Sequence, residues 1–299
     1  MILECFRQKA IRSQDGGKPM DWKKIKKIDA HVHLLPPDRL ALFQEAPDDP
    51  WAHADLDAYL KIMEQYNIEK AVLLPLNDGR TYYEHANDTN RWLGQVQQQY
   101  PNRFFAFADV LKEGAYFFED TPYVLEDAVR EFGLKGLKIH PQNLQLDADS
   151  LEYVPVYRKA AELHVPVVIH SNPCRVGFHE NSAPDKINKM IQIFPDVTFI
   201  TAHMGGMKWQ DAITGCGYVD ISAVLPQFVN LYGIEQTNRI LRRFGADRLI
   251  FATDYPDVWF TKPEDVYETY CDILNRMDFT EAEMEAIAYG NITKILSPE

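Results

Sequence analysis

Long apolar runs are missing from this chain. No stretch approaches the ~18 consecutive apolar residues that a membrane-spanning helix needs, so no such span is expected. Positive charge is in deficit too: 31 Lys and Arg stand against 44 Asp and Glu, a formal net charge of −13. Phosphate backbones and anionic bilayers bind basic surfaces, so neither nucleic acid nor membrane is an expected partner. Cysteine is sparse. Cys5, Cys174, Cys216 and Cys271 are widely scattered and form no CxxC pair. In a chain of 299 residues that pattern reads as reduced thiols, and the cytoplasm is the expected compartment. Residues 1–18 lack an apolar leader core and carry Arg7, Lys9 and Arg12 instead, so no secretory signal is expected. Repeats, low-complexity tracts and Gly/Ser linkers are absent as well. Residues 25–299 therefore read as one domain, preceded by an N-terminal extension, 1–24, that Gly16, Gly17 and Pro19 break up.

What is present is the material for a large core. Hydrophobic residues make up 46% of the chain, ordinary for a soluble globular domain. Eight apolar, β-branched-rich runs recur at 28–34, 70–76, 103–110, 134–140, 165–171, 198–204, 218–222 and 248–254. Helical periodicity fills the gaps. Leu56, Tyr59, Leu60 and Met63 share one helical face, as do Leu125, Ala128, Val129 and Phe132. Val266, Tyr270, Ile273 and Leu274 repeat the pattern, and Ile234, Asn238, Leu241 and Arg242 follow it less cleanly. Strand then helix, eight times over, predicts an α/β fold of the (β/α)8 TIM-barrel type. An open doubly wound sheet fits less well, because no Gly-rich phosphate loop follows the first strand. Residues 280–296 read as a last helix packed outside the barrel. The proline-rich loop 35–54 is long enough to be a lid.

The polar residues sort onto this frame. His31 and His33 sit at i and i+2 of the first strand and so project from one face, with Asp29 expected two residues below them. His140, His170, His203 and Asp254 fall at the ends of strands four, five, six and eight. A barrel gathers those strand ends into one rim, where barrel enzymes keep their active sites. Five of the nine histidines are thus expected at one place. Imidazole nitrogens and a carboxylate suit a catalytic divalent metal, zinc first, with manganese or iron(II) as alternatives. Metal binding lowers the pKa of a bound water, a carboxylate beside it takes the proton, and a further histidine polarises the substrate. Lys138 reads as a cation paired with Asp29 or with a ligand carboxylate under the metal, or as half of a buried salt bridge. His140 is a candidate substrate contact. Arg39, Arg80 and Arg175 are candidate clamps for an anionic substrate, although a single arginine is ordinarily a solvated surface residue. Arg175 is preferred because it lies five residues past His170.

Asp-x-His-x-His on strand one, Gly-x-Lys-x-His on strand four, His on strands five and six and Thr-Asp-Tyr-Pro on strand eight together resemble the amidohydrolase superfamily. The branch they resemble most is the amidohydrolase-related (amidohydrolase 2) family, which holds metal-dependent hydrolases and aminocarboxymuconate-semialdehyde decarboxylase. The resemblance covers residues 25–299. It implies a barrel with one divalent metal held by His31, His33, His170 and Asp254. It implies a catalytic role for His203. From the residues themselves, Asp254 is expected to handle the proton of the activated water, and Lys138, His140 and Arg175 are the expected substrate-binding residues. Tyr289-Gly290-Asn291 matches the family's C-terminal Gly-Asn signature, taken as structural. A second metal on a carboxylated Lys138 is the less favoured arrangement. The expected reaction is metal-dependent hydrolysis of a small carboxylate-bearing ester, lactone or amide. The alternative is non-oxidative decarboxylation of an aromatic or muconate-type acid. The partner expected is a small-molecule substrate, and the assembly left open is a homodimer.

Overall fold

The computed structural model describes residues 21–110, 117–173, 178–258 and 260–297. Among them all eight expected strands form: β1 (Lys27–Val32), β2 (Ile68–Leu73), β3 (Phe104–Ala106), β4 (Leu137–Ile139), β5 (Val167–Ile169), β6 (Phe199–Thr201), β7 (Tyr218–Asp220) and β8 (Leu249–Ile250). A wall helix follows each strand: α1 (Leu56–Gln65), α2 (Ala86–Gln99), α3 (Phe117–Arg130), α4 (Val154–Glu162), α5 (Pro184–Ile193), α6 (Trp209–Thr214), α7 (Val224–Phe244) and α8 (Val266–Leu274), with single helical turns at Pro37–Leu40 and Pro141–Leu144 besides. All strand pairs are parallel, in the orders β1-β2-β3 and β4-β5-β6-β7-β8.

Two seams close the ring. Between β3 and β4, Ala108 N donates to Gly136 O at 2.8 Å and Lys138 N to Ala108 O at 3.0 Å. Between β8 and β1, Ala30 N donates to Phe251 O at 3.1 Å and His33 N to Tyr255 O at 2.8 Å. An open sheet has no such second seam, so the structure is the (β/α)8 barrel. No helix among the described residues is long and apolar enough to cross a membrane.

The core has two layers. Ile28, Ala30, Val72, Leu74, Phe107, Val168, Ile200, Ile250 and Ala252 fill the barrel interior. The alternate strand residues, such as Leu73, Ala106, Leu137, Ile139, Val167, Phe199 and Val219, pack with the helices. The alternation is what a pleated strand buried on both faces produces.

Two helical readings need correction. In α7 the buried stripe is Thr237, Ile240, Leu241 and Phe244, while Arg242 faces outward and pairs with Asp278 and Glu283. Gly233, at φ 74° and ψ 167°, breaks the helix there and resets its phase. The C-terminal segment does not lie outside the wall. Thr280 caps α9 (Glu281–Glu285) with a capping box, a π-helical turn follows at Ala286–Gly290, and α10 (Asn291–Leu296) sends Ile292 and Ile295 into the interior cluster. The helix therefore plugs the end of the barrel opposite the catalytic rim. Asn291 Nδ2 fastens it by donating to Ala246 O at 2.8 Å and Leu249 O at 2.7 Å.

Candidate metal centre

Strand one carries the first surprise. Asp29 does not share a face with His31 and His33. The β1–β2 register slips between Asp29 and Val32, so the pleat changes phase there. Asp29 turns toward β8 and α8 instead. Its carboxylate accepts from Thr253 Oγ1 at 2.6 Å, Tyr267 OH at 2.7 Å and the backbone N–H groups of Thr253 and His31 at 3.1 Å each.

The slip leaves His31 and His33 together in the barrel mouth. Their Nε2 atoms lie 3.0 and 3.1 Å from the same oxygen, Asp254 Oδ1. Each ring is held from behind: His33 Nδ1 lies 2.7 Å from Leu74 O and His31 Nδ1 lies 2.9 Å from Asp220 Oδ2. A carbonyl and a carboxylate only accept, so both Nδ1 atoms carry the hydrogen and both Nε2 atoms present lone pairs. Three acceptors therefore converge at about 3 Å. A proton on Asp254 and the ammonium of Lys138, 2.9 Å from His31 Nε2, would each satisfy one imidazole; a divalent cation would draw both imidazoles and the carboxylate onto one point. The donor set fits such an ion.

His203 completes a group of three, His31, His203 and Asp254, whose ligand atoms all lie within 4.8 Å of one another. It leaves β6 at φ 56°, and Asp254 follows β8 at φ 72°. Both are non-glycine residues in left-handed conformations, which concentrate where a site holds its backbone against local preference. Gly205 and Gly206 continue the turn after His203; a Cβ on Gly206 would lie 2.7 Å from Asn172 Oδ1 and 2.9 Å from Asn172 Cα.

His170 stands at one remove. Its Nδ1 is 2.9 Å from His203 Nε2, and its ring stacks on His140 with centroids 3.8 Å apart. Among the described residues its contacts are with His203, His140 and His179, not with His31, His33 or Asp254. Lys138 points into the barrel, its Nζ 2.9 Å from His31 Nε2, so it neighbours a ligand histidine and not Asp29. Arg175 lies outside the described residues, as do Cys174 and Trp259. Arg39 and Arg80 are structural: Arg39 donates to the carbonyls of Gly79 and Arg80, and Arg80 pairs with Asp49 at 3.2 Å. The loop 35–54 is packed down, with Leu35, Phe43, Ala54 and Tyr82 buried together and Trp51 edge-on to His33 at 5.9 Å.

Electrostatics prepare the cluster for a cation. Burial pushes the imidazoles of His31, His140, His170 and His203 well below their usual range, and the nearby Lys138 charge pushes the same way. His33 is lowered to about 3, by burial first and Lys138 second. Neutral imidazole is the form that ligates metal. Burial lowers Lys138 to about 8, against the pull of Asp254 and Asp220. Burial also raises Asp254 well above the carboxylate range, with Lys138 opposing.

Sequence reasoning overlooked three residues here. Asp220 and Ser222 end the seventh strand run at i and i+2, the same signal that singled out His31 and His33. Asp257, raised to about 6 by burial and then by Asp254, lies three residues past the strand-eight aspartate.

No curated protein matches the chain in sequence. Solved structures match its fold. 2,6-Dihydroxybenzoate decarboxylase from Rhizobium superposes with a TM-score of 0.68 at 20% identity, covering 91% of this chain and 98% of the other. 5-Carboxyvanillate decarboxylase from Novosphingobium aromaticivorans, complexed with manganese and 4-hydroxy-3-methoxy-5-nitrobenzoic acid, gives 0.64 at 16% identity over 92% and 96%. 4-Oxalomesaconate hydratase from Rhodopseudomonas palustris gives 0.67 at 19% identity over 90% and 95%. The family model described as Amidohydrolase matches residues 28–297, nearly the whole described barrel, and the chain belongs to that family.

Proposed function

We propose that the protein is a metal-dependent decarboxylase of an aromatic or muconate-type acid. The observation that carries this reading is the buried convergence of His31, His33 and Asp254 beside Lys138 and His203. Support for the reaction type comes from the aromatic-acid decarboxylases among the structures of the same fold. His31, His33 and Asp254 would hold the ion, and His170, behind His203, is the proposed fourth ligand. Zinc and manganese both suit nitrogen and oxygen donors of this kind. When bound, the ion supplies positive charge that binds the substrate's oxygens and stabilises the electron-rich state reached as carbon dioxide leaves.

The chain's own residues supply the rest. In decarboxylation the bond from the ring carbon to the carboxylate breaks, its electron pair stays on the ring carbon, and a proton takes the place of carbon dioxide. The site must therefore attract an anion and hold a proton in a dry place. Lys138 Nζ is the fixed cation of the mouth. His203, whose ring lies with Asp254 and His31 in one group, is the imidazole proposed to carry the proton, with Asp254 beside it. His140, stacked on His170, and Arg175 are proposed toward the substrate. Hydrolysis of an ester, lactone or amide would use Asp254 to deprotonate a water, and the same experiment discriminates. Metal-loaded protein is given hydroxybenzoic and muconic acids under a carbon dioxide-coupled assay, and lactones, esters and amides in weak buffer. Carbon dioxide release that stops on metal removal supports the proposal. Acid release from the second panel alone would overturn it in favour of a hydrolase.

A further inference from the structure

Asp220 lies at the end of β7, 1% exposed, and is bonded to two histidines of the site at once. Its Oδ2 is 2.9 Å from His31 Nδ1. Its Oδ1 accepts from the backbone N–H of His203 at 2.9 Å and of Ser222 at 3.1 Å, and from Ser222 Oγ. Ser222 Oγ in turn lies 2.8 Å from His203 Nδ1. The hydrogens on these atoms follow from counting. A hydroxyl has one hydrogen, and Ser222 gives it to the carboxylate. The contact with His203 must then run the other way, from Nδ1–H to Ser222 Oγ. His203 Nε2 is left with a lone pair, which faces His170 Nδ1 at 2.9 Å and is satisfied if that nitrogen also carries hydrogen. Lys138 Nζ, a donor only, confirms the sense on the other side by facing His31 Nε2 at 2.9 Å.

We propose that Asp220 and Ser222 are positioning residues that set the tautomers of His31 and His203, so that His31 presents its Nε2 lone pair to Asp254 and Lys138 in the barrel mouth and His203 presents its own to His170. For His31 this rests on the metal-binding reading above. Asp220 acts on the metal through His31, whereas Ser222 acts on His203 alone, its contact with His31 Nδ1 being the longer one at 3.3 Å. The two residues therefore separate in their effects. In Asp220→Asn the single amide oxygen is claimed by the two backbone N–H groups, which turns the amide NH2 toward His31 Nδ1. That ring must then accept at Nδ1 and carry its hydrogen on Nε2, facing Asp254. In Ser222→Ala the bond from His31 to Asp220 survives, and His203 Nδ1 keeps only Ser222 O at 3.4 Å.

Nitrogen-15 spectra of histidine-labelled, metal-free protein read the tautomers directly, and a chelator competition with manganese or zinc reads affinity. The wild type should show the Nδ1–H form at His31 and His203. Asp220→Asn should switch His31 to Nε2–H and weaken metal binding about 10–100-fold. Ser222→Ala should leave His31 and the affinity unchanged while His203 becomes a tautomer mixture. Nε2–H at His31 in the wild type would overturn the inference, as would equal loss of affinity in both variants. The wild-type spectrum alone decides the matter if Asp220→Asn does not fold. Because that spectrum is recorded without metal, it stands even if the protein binds none, an outcome that would count against the proposed function instead.

Discussion

His203 is the residue whose role separates rival schemes. It is within ligand reach of His31 and Asp254, yet its Nε2 is bonded to His170 and its Nδ1 to Ser222. Cast as catalytic, it should be dispensable for the ion: His203→Asn should retain metal in elemental analysis and lose turnover by about 100-fold or more, the usual loss of a proton-transfer group. Loss of the metal from a normally folded variant would make it a ligand. Asp29 behaves differently. Its four accepted hydrogen bonds tie β1 to β8 and α8, and none of them involves a ligand atom. Asp29→Ala removes the acceptor of two buried hydroxyls and two buried N–H groups and should cost about 1–3 kcal/mol in urea unfolding with metal affinity unchanged. The sequence motif placed Asp29 with the histidines because a strand has period two. A one-residue slip in register, which no residue type in the motif announces, moved it to the other face.

At the scale of elements, the strands were legible because β-branched runs buried on both faces have no other reading, and all eight formed near the expected positions. The candidate site residues were legible by order alone: His33, His140 and His170 directly follow their strands, with His203 and Asp254 a few residues past theirs. The second carboxylate-and-hydroxyl pair, Asp220 and Ser222, was not singled out, since no histidine marks the seventh strand. Turn geometry was also hidden. The left-handed run His203, Met204, Gly205 and Gly206 aims His203, and only the two glycines hinted at it. Gly206 sits at φ 56° and ψ −136° with Asn172 backbone against its open side, so Gly206→Ala should cost roughly 2–5 kcal/mol and lower the thermal midpoint. Stability equal to wild type would mean that the turn has room to relax.

For the whole molecule, the barrel isolates its chemistry at one end by plugging the other with α10. One buried charge beneath this frame gives a pH signature. Lys27 Nζ is fully buried and donates to Ile25 O at 2.6 Å and Tyr66 O at 2.5 Å, and burial lowers its pKa from 10.5 to about 8. Below pH 8 both folded and unfolded chains hold the proton, and the burial penalty is present in full. Between pH 8 and 10.5 the folded chain has released it while the unfolded chain has not, so stability rises with pH across that window. The rise is at most about 3 kcal/mol. It should be missing from Lys27→Met when the two unfolding free energies are compared as a difference across the same pH range; an identical rise in both would assign it to other groups.

The metal is the claim on which the chemistry depends, and its stoichiometry is the most direct test. Protein purified without chelator, supplemented with manganese or zinc and freed of excess ion, is assayed by elemental analysis beside His33→Ala and Asp254→Ala variants. The account predicts close to one divalent ion per wild-type chain and near none in either variant. A wild-type value near zero, or variants that keep the ion, would contradict it.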